Sequence, residues 1–188
     1  MTIPVENLIA AYPKPVSVCK GLALRPMTLG DAIVLSALSI DFTKGVDDPH
    51  GMVAGLLLSG IVPSEAMFDE TAVKKGLKKI LQKIGRRNVG RLRQAVDEVF
   101  DKAFLTRLPF ASAENAPVKI SPDGLGWPLE IAEATAAEYG WSFDAVLQTP
   151  LVRLFALNAA RHRRNGGKFS GPDYVERIVI AKIKRKEA

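Results

Sequence analysis

Residues 69–103 read DETAVKKGLKKILQKIGRRNVGRLRQAVDEVFDKA, and this stretch decides the fold because it predicts two consecutive amphipathic helices. Apolar residues recur at steps of 4, 3, 1 and 3 in its first half and at steps of 3, 4, 3, 1 and 3 in its second half. Such steps place apolar side chains on one face of a helix. Asp69 is a capping residue and Gly85 a terminator, so we expect an antiparallel helical hairpin joined by a basic turn at 85–88.

Toward the N-terminus the sequence carries two further helix starts. Thr28 and Asp31 have the spacing of a capping box, which predicts a helix that ends near residues 40–42. Asp48-Pro49 combines a capping residue with proline at the first helical position. The helix after it is almost wholly apolar over 52–58, which is typical of a core segment or of an assembly contact.

Toward the C-terminus the pattern is again helical after a gap. Residues 105–126 are rich in proline and glycine and predict a loop or linker. The signals beyond it predict a helix over 127–139 capped by Gly140, a short helix from Ser142 to 147, a helix from Thr149-Pro150 to 165, and a last helix from 173 into a basic tail.

These signals predict a mainly α protein made of a small multi-helix domain or domains. Residues 16–19 are compatible with one short strand, but no set of strands and no internal repeat is evident. We divide the chain into an extended arm at 1–20, an N-terminal helical domain at 21–104, the loop at 105–126, and a C-terminal helical unit with a basic tail at 127–188.

Composition narrows the classes of protein that fit. The chain has 188 residues, of which 47% are hydrophobic and 24% charged, and this balance excludes wholesale disorder. One cysteine and two histidines exclude a disulfide framework and a cysteine-cluster zinc site. There is no apolar run of about 20 residues and no basic leader before an apolar segment, so we expect a cytoplasmic protein without a membrane span.

Positive charge is concentrated in two segments. Residues 74–107 contain 11 lysines and arginines against 3 acidic residues, and 161–188 contain 9 against 3, although the whole chain has a net charge of only +6. Basic segments bind nucleic acid or acidic protein surfaces, or simply solvate the outer faces of helices. The candidate nucleic-acid contacts are Lys79, Lys83, Arg86, Arg87, Arg91 and Arg93.

Motifs for catalysis and for specific DNA reading are weak. The chain contains neither a nucleophile elbow nor a phosphate loop nor a zinc-protease motif. We therefore expect that the protein is not an enzyme, binds no cofactor, and has no catalytic or metal-binding residue. Ala136, Gly140 and Val146 have helix-turn-helix spacing, but the following helix has no Lys or Arg. A groove-reading helix needs such side chains, so a tight structural corner is favoured.

Two stretches resemble a known family. Residues 24–35, LRPMTLGDAIVL, resemble the opening of small tail assembly chaperones of long-tailed bacteriophages and prophages. Residues 139–147, YGWSFDAVL, with Pro150, Leu151 and Leu154, resemble an element of short phage tail-module proteins. The resemblance implies a mainly helical, non-catalytic protein of the host cytoplasm. Its partner would be the tape measure protein, which it would keep soluble while the tail tube protein polymerises.

Several uses of the apolar helix faces stay open at this point. Seven residues are candidates for contact with a partner: Met52, Leu56, Leu57, Leu77, Ile80, Leu81 and Ile84. The same residues would serve equally well in a ring or spiral of identical copies, or in the core. A basic connector protein that stays in a phage-like particle and a nonspecific nucleic-acid-binding protein are the alternative functions.

Overall fold

A computed structural model describes residues 12–40, 46–85, 88–103, 126–164 and 166. It confirms the prediction of a mainly α protein. After two short strands, β1 and β2, the chain forms α1, α2, a 3₁₀ turn, and then α3 to α7. Their bounds are β1 Val16–Cys19, β2 Leu22–Leu24, α1 Leu29–Ala37, α2 Asp48–Leu58, 3₁₀ Ser64–Phe68, α3 Glu70–Ile84, α4 Val89–Ala103, α5 Gly126–Tyr139, α6 Phe143–Leu147 and α7 Leu151–Arg164.

The strands form an antiparallel hairpin, and only the first of them was predicted. Val16 pairs with Leu24, and Gly21 turns the chain with a φ of +83°. Alternate side chains of both strands are buried, as expected for a sheet with one face on the core. We predicted an extended arm over residues 1–20 and no set of strands. The end of that arm instead belongs to a small two-stranded sheet, which packs on α4.

Several helices begin at or next to the capping residues predicted from the sequence. The Thr28 hydroxyl accepts from the Asp31 amide while the Asp31 carboxylate accepts from the Thr28 amide, which completes the capping box. Asp69 and Ser142 also act as caps, as predicted. The cap of α2 is Asp47, one residue before the predicted Asp48.

The end of α1 differs from the prediction, because the helix ends at Ala37 rather than at 40–42. Ser39 takes a left-handed φ of +58°, and the Ile40 amide donates to the Leu35 carbonyl at 2.9 Å. This is the Schellman arrangement, in which a glycine usually occupies the left-handed position. Serine at that position gave no terminating signal in the sequence.

Helix α2 occupies the centre of the N-terminal helices, and both α3 and α4 pack on it. Two glycines allow the close approach: a Cβ at Gly55 would lie 2.8 Å from Leu92 Cδ1, and one at Gly76 would lie 2.7 Å from Leu56 Cδ1. The helices of the predicted hairpin follow each other across the turn at Gly85, and each makes its larger contact with α2.

The C-terminal helices share the core of the N-terminal ones. Ala132 of α5, Val146 of α6 and Leu154 of α7 are buried in the same apolar cluster as the residues of α1, α2 and α4. The sequence left open whether the chain has one core or two, and the described residues form one. Residues 105–125 of the loop predicted at 105–126, the last helix and the basic tail lie outside the described residues, and α5 begins at Gly126.

Candidate partner-binding surface

The outward side of α3 carries a shallow, open depression of about 460 Å³. Among the residues that the structure describes, its lining comes from Lys74, Leu77, Lys78, Leu81 and Gln82, and we call this surface the α3 groove. Residues at these spacings share one helix face. The neighbouring face, with Gly76, Ile80 and Ile84, is buried against the core. One face of α3 therefore packs against the core, and an apolar strip lies next to that face.

The α3 groove is set in a positively charged surface. Five lysines of α3 are exposed, at positions 74, 75, 78, 79 and 83, and the single acidic residue of the helix is Glu70. Glu70 forms an ion pair with Lys74, with Oε1 and Nζ at 2.5 Å. Both side chains of this pair are largely solvated, so the pair contributes little to stability. Lys83 reaches back to the Gly21 carbonyl at 3.5 Å.

The structure separates the seven partner-contact candidates into two groups. Leu56, Leu57, Ile80 and Ile84 are buried in the apolar core, so their side chains present no surface to a partner in this fold. This is the core alternative that the sequence had left open. The half-buried candidates are Met52, Leu77 and Leu81. The α3 groove contains the last two.

The nucleic-acid candidates do not form a single described cluster. Lys79 and Lys83 lie exposed on α3, and Arg91 and Arg93 lie exposed on α4. Arg93 makes an ion pair with Asp48 of α2 at 3.2 Å. The other two candidates, Arg86 and Arg87, fall outside the described residues.

Residues 24–35 and 139–154, whose sequences suggested a phage tail family, meet in space although more than a hundred residues separate them in the chain. The Leu151 amide donates to the Met27 carbonyl at 2.9 Å, and the Leu29 amide donates to the Thr149 carbonyl at 3.3 Å. Gly30 lies against this junction, since a Cβ there would be 3.2 Å from the Leu147 carbonyl oxygen. The junction fixes α6 and α7 to the start of α1.

A buried carboxylate stabilises the same junction. Asp31 is fully buried and accepts from both terminal nitrogens of Arg25, one of them at 2.7 Å. It also accepts from the Thr28 amide at 2.9 Å and from the Thr28 hydroxyl at 2.8 Å. The Arg25 amide in turn donates to the Leu58 carbonyl at the end of α2. The sequence revealed the cap but not the arginine, because a pair six residues apart is not a recognised local motif.

A second apolar surface lies at the corner between α5 and α6. Gly140 makes the turn with a φ of +65°, and Val146 is fully buried, which agrees with the predicted tight corner. Trp141 and Phe143 are exposed, and the Trp141 ring lies 5.8 Å from that of Tyr139. Sequence reasoning missed these aromatic side chains, since isolated aromatics beside a turn carry no periodic signal.

Groups that suggest chemistry are sparse in the part of the chain that the structure describes. No set of three or more His, Cys, Asp or Glu side chains there is arranged to hold a metal ion. A cavity of about 190 Å³ lies between α5 and α7, and its polar lining includes Glu130, Thr135, Asn158 and Arg161. Arg161 is already paired with Glu138 at 3.3 Å, which reduces its availability to a ligand.

Comparisons with protein-family models, with curated proteins and with solved structures return no match for this chain. Within the described ranges, no helix combines the length and the apolar character that a bilayer crossing requires.

Proposed function

We propose that this chain is a phage-type tail assembly chaperone that binds the tape measure protein without catalysing a reaction. The observation that carries the proposal is the α3 groove, where the half-buried Leu77 and Leu81 form an apolar strip beside exposed lysines of the same helix. The resemblance of residues 24–35 and 139–154 to phage tail proteins supplies the identity of the partner.

The mechanism is the covering of an apolar helix stripe. Before assembly, a long helical tape measure chain exposes apolar side chains that would otherwise aggregate. A helix that lies in a complementary groove buries such a stripe at i, i+3, i+4 and i+7 anchor positions. Polymerising tail tube protein would then displace the chaperone in the host cytoplasm. No cofactor enters this mechanism.

Coexpression with the tape measure protein of the same genome tests the proposal. We expect a co-purifying complex and a tape measure protein that is soluble only when this chain is present. Leu81→Gln should weaken the complex, whereas Phe68→Ser should leave it intact, because Phe68 is an exposed apolar residue outside the α3 groove. A tape measure protein that is equally soluble without this chain would refute the proposal.

Nonspecific nucleic-acid binding is the second candidate, and the exposed lysines of α3 favour it. An electrophoretic shift assay over a salt series tests it, because phosphate contacts release counterions and weaken steeply with salt. The absence of any shift at low salt would eliminate this candidate. A third role, as a connector that stays in the particle, is tested by mass spectrometry of purified particles, from which a chaperone should be missing.

A further inference from the structure

The charge around the α3 groove restricts what can lie in it. Lys74 and Lys78 line the groove itself, and Lys75 and Lys79 follow on the next strip of the same helix. Glu70, the one acidic residue of α3, is a turn away and already paired with Lys74. A partner with basic residues beside its apolar stripe would therefore meet like charges at the edge of the contact, which disfavours binding.

The groove also has a length that suits a helix. Its lining runs from Lys74 to Gln82, which at about 1.5 Å per residue is roughly 12 Å of helix, or a little over two turns. Two apolar anchors on the partner, three or four residues apart, would match Leu77 and Leu81 over this distance. The lysine ammonium groups would then lie beside the flanks of the partner helix.

A second copy of this chain fits the α3 groove poorly. In a symmetric dimer the same patch faces itself, so two α3 helices would bring the lysine-bearing surface of one protomer against that of its partner. The repulsion between these charges is unfavourable unless an anion lies between them. The surface is better matched by a different chain that carries the opposite charge.

We infer that the α3 groove binds an amphipathic helix whose apolar stripe is flanked by glutamate or aspartate. The inference rests on the proposed function, which makes this contact the one that binds the tape measure protein. It adds that the bound segment is selected by its negative charge. Leu77 and Leu81 supply the apolar contact. Lys74 and Lys78 select the charge of the flanks and speed the encounter at low salt.

Three labelled synthetic helices of about 20 residues test the inference by fluorescence anisotropy with the full chain. The first has leucines at i, i+3, i+4 and i+7 flanked by glutamates, the second has lysines in place of the glutamates, and the third has serines in place of the leucines. We expect only the first peptide to bind. Its affinity should fall as NaCl rises from about 0.05 M to about 0.5 M, because exposed charges are screened.

Two charge-reversal variants locate the contact. The Lys74→Glu/Lys78→Glu double variant should weaken binding of the acidic peptide by about tenfold, since two attractive contacts become repulsive. The Lys75→Glu/Lys79→Glu double variant changes the net charge equally on the same helix, outside the groove lining, and should weaken binding by less than about threefold. All four lysines are exposed, and circular dichroism should confirm that both variants keep their helix content.

The outcomes distinguish this inference from the proposed function. Equal loss in both double variants, equal binding of the basic peptide, or binding of a DNA oligonucleotide without binding of the acidic peptide would each overturn it. If both variants still solubilise the tape measure protein as well as the unmodified chain does, the chaperone role stands and the acidic-helix inference is wrong. If the acidic peptide binds the groove and the tape measure protein does not, the inference stands and the tape measure protein is not the partner.

Discussion

A methyl group added at Gly76 measures how closely α3 approaches α2. A Cβ there would lie 2.5 Å from Val62 Cγ2 and 2.7 Å from Leu56 Cδ1, whereas carbon atoms in contact normally stay about 3.5–4.0 Å apart. Both neighbours are buried, and the branched side chain of Val62 has little rotameric freedom. The overlap of about 1 Å must therefore be relieved by moving α3 away from Leu56 and Val62.

The expected magnitude is the balance of two effects. Alanine is favoured over glycine inside a helix by about 1 kcal/mol, which alone would stabilise the variant. Overpacking a close contact opposes this by about 1–3 kcal/mol, and the overlap with two buried side chains suggests the upper part of that range. We expect Gly76→Ala to lower the free energy of unfolding by about 1–2 kcal/mol, or the melting temperature by about 2–8 °C.

Gly90→Ala is the matched control, because Gly90 is a helical glycine and, among the described residues outside its own stretch of helix, no atom lies within 4 Å of the added Cβ. It should be neutral or stabilising by up to about 1 kcal/mol. Urea unfolding followed by circular dichroism measures both variants, and equal slopes in denaturant would show that the midpoints report stability. If Gly76→Ala were stabilised as much as Gly90→Ala, the close approach of α3 to α2 would be refuted.

Two other substitutions, the first with a matched control, test separate parts of the fold. Asp31→Asn should lower the free energy of unfolding by about 1–3 kcal/mol in the same assay, because the buried acceptor of Arg25 loses its charge. The control is Glu98→Gln, which removes an exposed ion pair with Lys102 and should change the free energy of unfolding by less than about 1 kcal/mol. Gly140→Ala should destabilise by about 1–2 kcal/mol because φ is +65° there, and a melting temperature equal to that of the unmodified chain would contradict the left-handed turn.

The sequence predicted elements whose causes are local. Capping residues at Thr28, Asp69 and Ser142 lie within three residues of the amides that they accept from, so their signals are visible in a short window. The Gly85 terminator is of the same kind, with a φ of +69°. Strand β2 has three residues, too few to show an alternation that separates it from a turn.

Which apolar residues are buried could not be predicted in the same way. Leu77 and Ile80 belong to one periodic pattern, yet Ile80 is fully buried and Leu77 lines the α3 groove. The apolar stripe of α3 is wider than the face that α2 covers, and the width of that face depends on Gly76 and on residues from other parts of the chain. Periodicity gives the centre of an apolar stripe but not the point along its edge where packing stops.

The contacts between residues 27–30 and 147–151 maintain the architecture of the fold. Met27 and Leu29 use backbone groups to hold residues 149–151, and Asp31 is fully buried. Groups that are committed to these internal bonds cannot also select a partner. The α3 groove lies outside residues 24–35 and 139–154, and its lysines are exposed while its leucines are half-buried. Under the proposed function, a protein built in this way retains the junction while its exposed helix face changes with the chain that it binds.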